Sequence, residues 1–150
     1  MYHLKQKQSL PISIDDAWEF ISNPANLNRI TPDDLHFHIL SELPETVYSG
    51  LLIEYEIQIP VLGKQLWVTE IKHIREKQSF VDEQRFGPYK FWYHYHQIEA
   101  SENGVDMIDE VSYSLPFGLL GNIAHAVYVK RKLEHIFEFR KQKLNNLFSI

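Results

Sequence analysis

Between Leu52 and Pro60 the chain alternates, with Ile53, Tyr55, Ile57 and Ile59 on one side and Glu54, Glu56 and Gln58 on the other. A period of two with one polar face predicts a half-buried antiparallel strand. The same alternation runs through Trp67, Thr69 and Ile71 after a turn at "VLGK", then through "FVDEQRF", "FWYHYHQIE" and "VDMIDEVSYSL". Residues 2–10 read as a further strand, and 35–41 begin the long β region. "GPYK" marks a turn, and Asn-Gly in "SENG" marks a tight primed hairpin.

Helical signals bracket this β region. Ser13 with Asp16 three residues later forms a capping-box pattern before Ala17, Trp18, Phe20 and Ile21. Asn23 with Pro24 starts a second short helix, and Pro32 ends it. After the Gly/Pro loop "PFGLLGN", Asn122 is expected to cap a long terminal helix over 122–148. Its apolar stripe is Ala126, Val129, Leu133, Ile136, Leu144 and Leu147, with Arg140 interrupting it. The fold class is therefore α+β: a seven-stranded curved antiparallel sheet wrapped around a long C-terminal helix, with two short helices after strand 1. A strongly bent sheet cannot touch a straight helix everywhere, so a cavity between them is expected.

Parity then sorts the side chains. On 91–99 the even set is Trp92, His94, His96 and Ile98. On the strand before it the even set is Phe80, Asp82, Gln84 and Phe86, and the odd set is more charged, so the even set should face inward. Pairing Phe86 with Trp92 across "GPYK" sets Gln84 opposite His94 and Asp82 opposite His96. Pairing Glu102 with Val105 sets His96 beside Val111, His94 beside Tyr113 and Ile98 beside Asp109. Asp82, Gln84, His94, His96, Asp109 and Tyr113 thus form a polar band ringed by Trp67, Phe80, Trp92, Ile98 and Val111. That is the chemistry of a ligand pocket, mostly apolar with a few converging polar groups. His94, His96 and Asp82 are the candidates for acid–base catalysis, with Tyr113 as a hydrogen-bond donor. The same polar residues could instead only satisfy one another in a core. His-x-His on a strand also suits a metal, but no fourth ligand is evident, and neither a metal nor a cofactor is expected.

Composition narrows the classes. The 150 residues suit one domain, 1–150, and 44% apolar with 13% aromatic content is globular. There is no cysteine, hence no disulfide framework or thiolate nucleophile, which is compatible with a cytoplasmic location. The net charge of −5 argues against nucleic acid. The balance is uneven: residues 122–150 carry six Lys/Arg and two Glu, and residues 1–121 carry the compensating excess of acid. No stretch is apolar enough for stable membrane insertion. Phe91, Tyr93 and Tyr95 fall on the outer face, where exposed aromatics can mark a homodimer surface.

The chain resembles the START-like SRPBCC superfamily, the helix-grip fold of the birch pollen allergen and polyketide cyclase proteins, and more closely a bacterial ligand-binding branch of it. The resemblance rests on the element order and on Trp67, "FVDEQ" at 80–84, "GPY" at 87–89, Trp92 with His94 and His96, Asp109, "LPFGLLGNIAH" and "LEHIFEFR". It implies a deep cavity with a mouth near the "PFGLLG" segment. It further implies that the partner is a small hydrophobic or amphipathic molecule of lipid, polyketide or aromatic type. Cyclase or dehydratase chemistry, or a regulatory interaction without a ligand, are the alternatives it leaves open.

Overall fold

The computed structural model describes residues 1–149. Seven strands form one sheet in the order β1-β7-β6-β5-β4-β3-β2, with every pair antiparallel. They are β1 (Tyr2–Leu10), β2 (His38–Ile39), β3 (Leu52–Ile59), β4 (Gly63–Arg75), β5 (Ser79–Phe86), β6 (Phe91–Ser101) and β7 (Gly104–Ser114). Helix α1 (Ile14–Ser22) follows β1, and Ser13 Oγ accepts the Asp16 backbone N–H as its cap. The second short helix, Pro24–Ile30, is of the tighter 3-10 kind, capped by Asn23. Of the strand expected at 35–41, only His38 and Ile39 pair, because Asp33–Leu35 forms another 3-10 turn that leaves His36 left-handed.

The sheet is bent where β4 meets β5. The register shifts between Val68 and Thr69 and again between Lys72 and Arg75, where His73 takes a positive φ of 54°. Such bulges increase local twist and turn a sheet into a trough. Trp18, Phe20, Ile53, Ile71, Phe80, Ile98 and Leu144 fill one end of the trough. Trp67, Trp92, Val111, Tyr113, Leu133 and Phe137 form a second cluster at the other.

Both hairpins differ from the expected register by two residues. Across β5–β6, Asp82 pairs with His94 and Phe80 with His96. The cause is Gln84, whose side-chain amide donates to the Tyr89 carbonyl at 2.7 Å and accepts the Tyr89 N–H at 3.1 Å. That side chain closes the loop in place of another ladder pair. Across β6–β7, Ser101 pairs with Gly104, so His96 lies opposite Asp109 and His94 opposite Val111. The turn is made by Glu102 and Asn103, neither of which has a positive φ. Gly104 serves instead for close approach: a Cβ there would meet the Leu10 carbonyl oxygen at 2.1 Å. Gly104→Ala is accordingly expected to cost about 1–3 kcal/mol through backbone overpacking, read from chemical denaturation. A change within error would show that β1 can move aside.

The terminal helix starts earlier than Asn122. Helix α2 (Gly118–Ala124), a π-helical turn (His125–Val129) and α3 (Lys130–Phe148) run on as one 31-residue element, about 46 Å long at the usual rise. The "PFGLLGN" segment is thus largely helical, not a loop. The π-turn resets the phase of the stripe. Beyond it the buried residues are Leu133, Phe137 and Leu144, while Ala126 and Leu147 are exposed. None of the helices is long and apolar enough to cross a membrane.

Candidate functional site

A cavity of about 570 Å³ lies between the trough and the terminal helix, within the usual range for small-molecule sites. Its floor is Ile53, Tyr55 and Ile57 of β3, Trp67, Thr69 and Ile71 of β4, and the inward residues of β5–β7; its roof is Leu133, Ile136, Phe137, Arg140 and Leu144 of α3. Leu62, Phe117 and Leu120 also line it yet are exposed, which places its mouth between the β3–β4 tip and α2.

At its base stand two imidazoles and two carboxylates. Alternation puts Asp82, His94, His96 and Asp109 on one face, and the two-residue register makes neighbours of them. The bonds run diagonally. His94 Nε2–H donates to Asp109 Oδ1 at 2.8 Å, and His96 Nε2–H donates to Asp82 Oδ2 at 2.5 Å. Each Nδ1 lies 3.2 Å from the opposite carboxylate. The two rings overlap with centroids 3.7 Å apart. Phe80 stacks on His96 at 4.4 Å, and the edge of Phe137 meets His94. Trp92 Nε1–H donates to the other oxygen of Asp82 at 3.3 Å. His94 is only 2% exposed.

The electrostatics follow from this closed arrangement. Burial alone would neutralise each group. Against it, the charges and hydrogen bonds of His94 and His96 hold the Asp82 and Asp109 carboxyls well below the ordinary carboxylate range. Burial likewise pulls the His96 imidazole down, but the hydrogen bonds and charges of Asp109 and Asp82 outweigh it and push the group up to about 9. At neutral pH His96 is therefore a proton donor without a free lone pair, which does not suit it to take a proton from a substrate. Asp82, His94 and His96 offer ligand atoms within 4.8 Å of one another, so among the described residues they are the group that could hold a metal ion. An ion there would have to displace imidazole–carboxylate contacts that already occupy those atoms.

Of the residues singled out by pattern, Trp67, Phe80, Asp82, Trp92, His94, His96 and Asp109 line the cavity. Gln84 and Tyr113 do not. Gln84 is committed to the β5–β6 loop. Tyr113 sits beside the cluster at the start of the terminal helix, where its hydroxyl is 2.7 Å from His125 Nε2 and Tyr2 stacks on the same imidazole at 3.5 Å. Pattern reading missed Tyr55, Tyr89 and Arg140 as lining residues. Tyr55 was already on the inward side of its strand, and Arg140 was the one charge in an apolar stripe. Of the outer-face aromatics, Phe91 and Tyr93 are half-buried and stack on each other, 6.3 Å apart and nearly parallel.

A curved antiparallel sheet gripping a long terminal helix over a cavity is the helix-grip architecture. Sequence comparison with protein-family models and with curated proteins gives no match. Comparison of folds gives many. A protein of Chromobacterium violaceum superposes with a TM-score of 0.74 at 10% identity, covering 100% of this chain and 99% of the other. A START superfamily protein from Mycobacterium smegmatis gives 0.70 at 10% identity, with 98% and 99% covered. The major latex-like protein 151 of Panax ginseng gives 0.70 at 12% identity, with 99% and 98% covered. The chain has the START-like SRPBCC fold.

Proposed function

We propose that the protein binds a small hydrophobic or amphipathic molecule in the cavity between sheet and terminal helix, without transforming it. The carrying observation is the cavity itself: about 570 Å³, walled by Tyr55, Trp67, Phe80, Trp92 and Phe137, and open at one end. Aromatic walls of this kind supply apolar contact area, and the polar cluster at the base fixes an orientation. Binding is favoured over catalysis because the imidazole nitrogens of His94 and His96 all face carboxylates. START-like neighbours support the same reading at the level of fold.

The test uses the fluorescent neutral probe N-phenyl-1-naphthylamine and the variant Ile57→Trp, which fills the cavity from the β3 side. The probe is expected to bind the wild type one to one. The variant is expected to bind at least about tenfold more weakly, a difference of about 1.4 kcal/mol. No binding to the wild type, or equal binding to a folded variant, would sink the proposal. Native mass spectrometry of the protein as isolated should in addition reveal a retained apolar compound.

A further inference from the structure

The roof of the cavity holds a charge with no counter-ion among the described residues. Leu133, Phe137, Arg140 and Leu144 follow one another at helical spacing on the face of α3 turned to the sheet. Three are buried apolar residues, and the fourth is an arginine that lines the cavity with them. Among the described residues Arg140 makes no ion pair and no side-chain hydrogen bond, and its Nε is buried without an acceptor. It makes a cation–π packing, with the guanidinium 5.2 Å from the Phe137 ring centre.

The obvious counter-ions are spent. Asp82 and Asp109 are engaged by the two imidazoles. The other cation lining the cavity, Lys132, pairs with Asp34. The helix around Arg140 is fixed from the opposite strand: Gln6 donates to the Phe137 carbonyl at 3.2 Å, and Gln8 donates to the Lys141 carbonyl at 2.8 Å. The guanidinium is therefore carried on an anchored stretch of backbone. Arg140 is half-buried, and a buried donor such as its Nε left without an acceptor is costly and in native structures calls for an explanation.

Neighbouring groups lean the same way. Trp67 Nε1 is also a buried donor with no acceptor. Tyr55 stacks on Trp67, lines the cavity, and has no hydrogen bond among the described residues. Burial first, then Asp82, hold its phenol well above the ordinary range, so it stays a donor, while Arg140 acts on it in the opposite sense. Between Arg140 in the roof and Tyr55 and Trp67 facing it from the floor, the cavity thus offers donors and one unpaired positive charge, while its carboxylates Asp82 and Asp109 are engaged by the imidazoles. The complementary head group is an anion rich in acceptors. The planar fork of a guanidinium matches a carboxylate in particular.

We infer that the molecule bound in the cavity is an amphipathic carboxylate, its acid group received by Arg140 and its apolar body lying along the aromatic floor. This rests on the proposed ligand-binding reading and narrows it to a chemical class.

The experiment separates the two. N-phenyl-1-naphthylamine serves as neutral reporter, and laurate and dodecan-1-ol compete for it at neutral pH, below their micellar and solubility limits. They share a chain length and differ in the head group. Wild type is expected to prefer laurate by at least about tenfold, as a charged hydrogen-bonded pair would give. Arg140→Met keeps the stem and removes the charge, and should bring the preference to within about threefold, read as the ratio of the two inhibition constants so that any change in the variant's own reporter affinity cancels. Arg140→Lys should keep part of the preference, and it serves if the methionine variant fails to fold. Failure of the reporter to bind wild type would overturn the pocket and this inference with it. Reporter binding with no laurate preference, or a preference that survives in Arg140→Met, would overturn this inference alone.

Discussion

Asp109→Ala is expected to lose about 3–5 kcal/mol of stability, the usual cost of breaking a buried ion pair from one side. The carboxylate that leaves is the acceptor of His94 Nε2–H at 2.8 Å and lies 3.2 Å from His96 Nδ1. His94, itself almost fully buried, then faces a void on that side. Asp82 already serves both rings and the Trp92 indole, so it has little left to offer. Urea unfolding followed by tryptophan fluorescence reads the loss. A change under about 1 kcal/mol would mean that water or a ring rotation replaces the lost bond. The contrast is a variant in which Asp82, His94, His96 and Asp109 are all apolar and of matched volume. It should lose far less than the single substitution, because no charge is left stranded.

The second large effect is a pH dependence. His96 is raised in the folded state to about 9, above the unfolded reference of about 6.5. Its contribution to stability is therefore fully present below about 6.5 and is lost as pH rises towards about 9. Asp82 and Asp109 are shifted down, so their contribution is present above the ordinary carboxylate range and disappears in acid. Together these place the stability maximum between the two, on the mildly acidic side of neutral. Between pH 6.5 and 9 the His96 part should fall by of the order of 1–3 kcal/mol. Thermal unfolding across that interval checks it. In His96→Gln the slope should flatten, and an unchanged slope would assign the titration to another group.

The inward face was legible because parity needs only a period of two. A two-residue slip in each hairpin keeps the parity of the ladder, so Asp82, His94, His96 and Asp109 still share a face while their partners are exchanged; Phe86, expected inward with them, is instead exposed beside the β4–β5 register shift. The register itself depended on side chains acting as backbone. Gln84 closes its loop with an amide that no alternation reveals, and Gly104 answers to the carbonyl of Leu10 far away in sequence. Tyr113 shared the right parity but lies where the terminal helix begins, and so meets His125. The π-turn has no compositional mark, which is why Ala126 was placed in a stripe it does not share. Arg140 was visible as an interruption, and its meaning came only from the absence of a partner.

Strand β1 precedes the other strands of its sheet yet is among the last that can be placed. In the sheet β1 pairs only with β7, and Gln6 and Gln8 on β1 bond to the helix that follows β7. Nothing between them in sequence offers β1 a partner strand. During synthesis β1 therefore waits, unpaired, until β7 has emerged. Closing so long a loop carries the entropy cost that slows folds built on distant pairings. The segment that waits is "YHLKQKQSL", whose alternate lysines and glutamines keep it a poor template for premature sheet pairing with other chains.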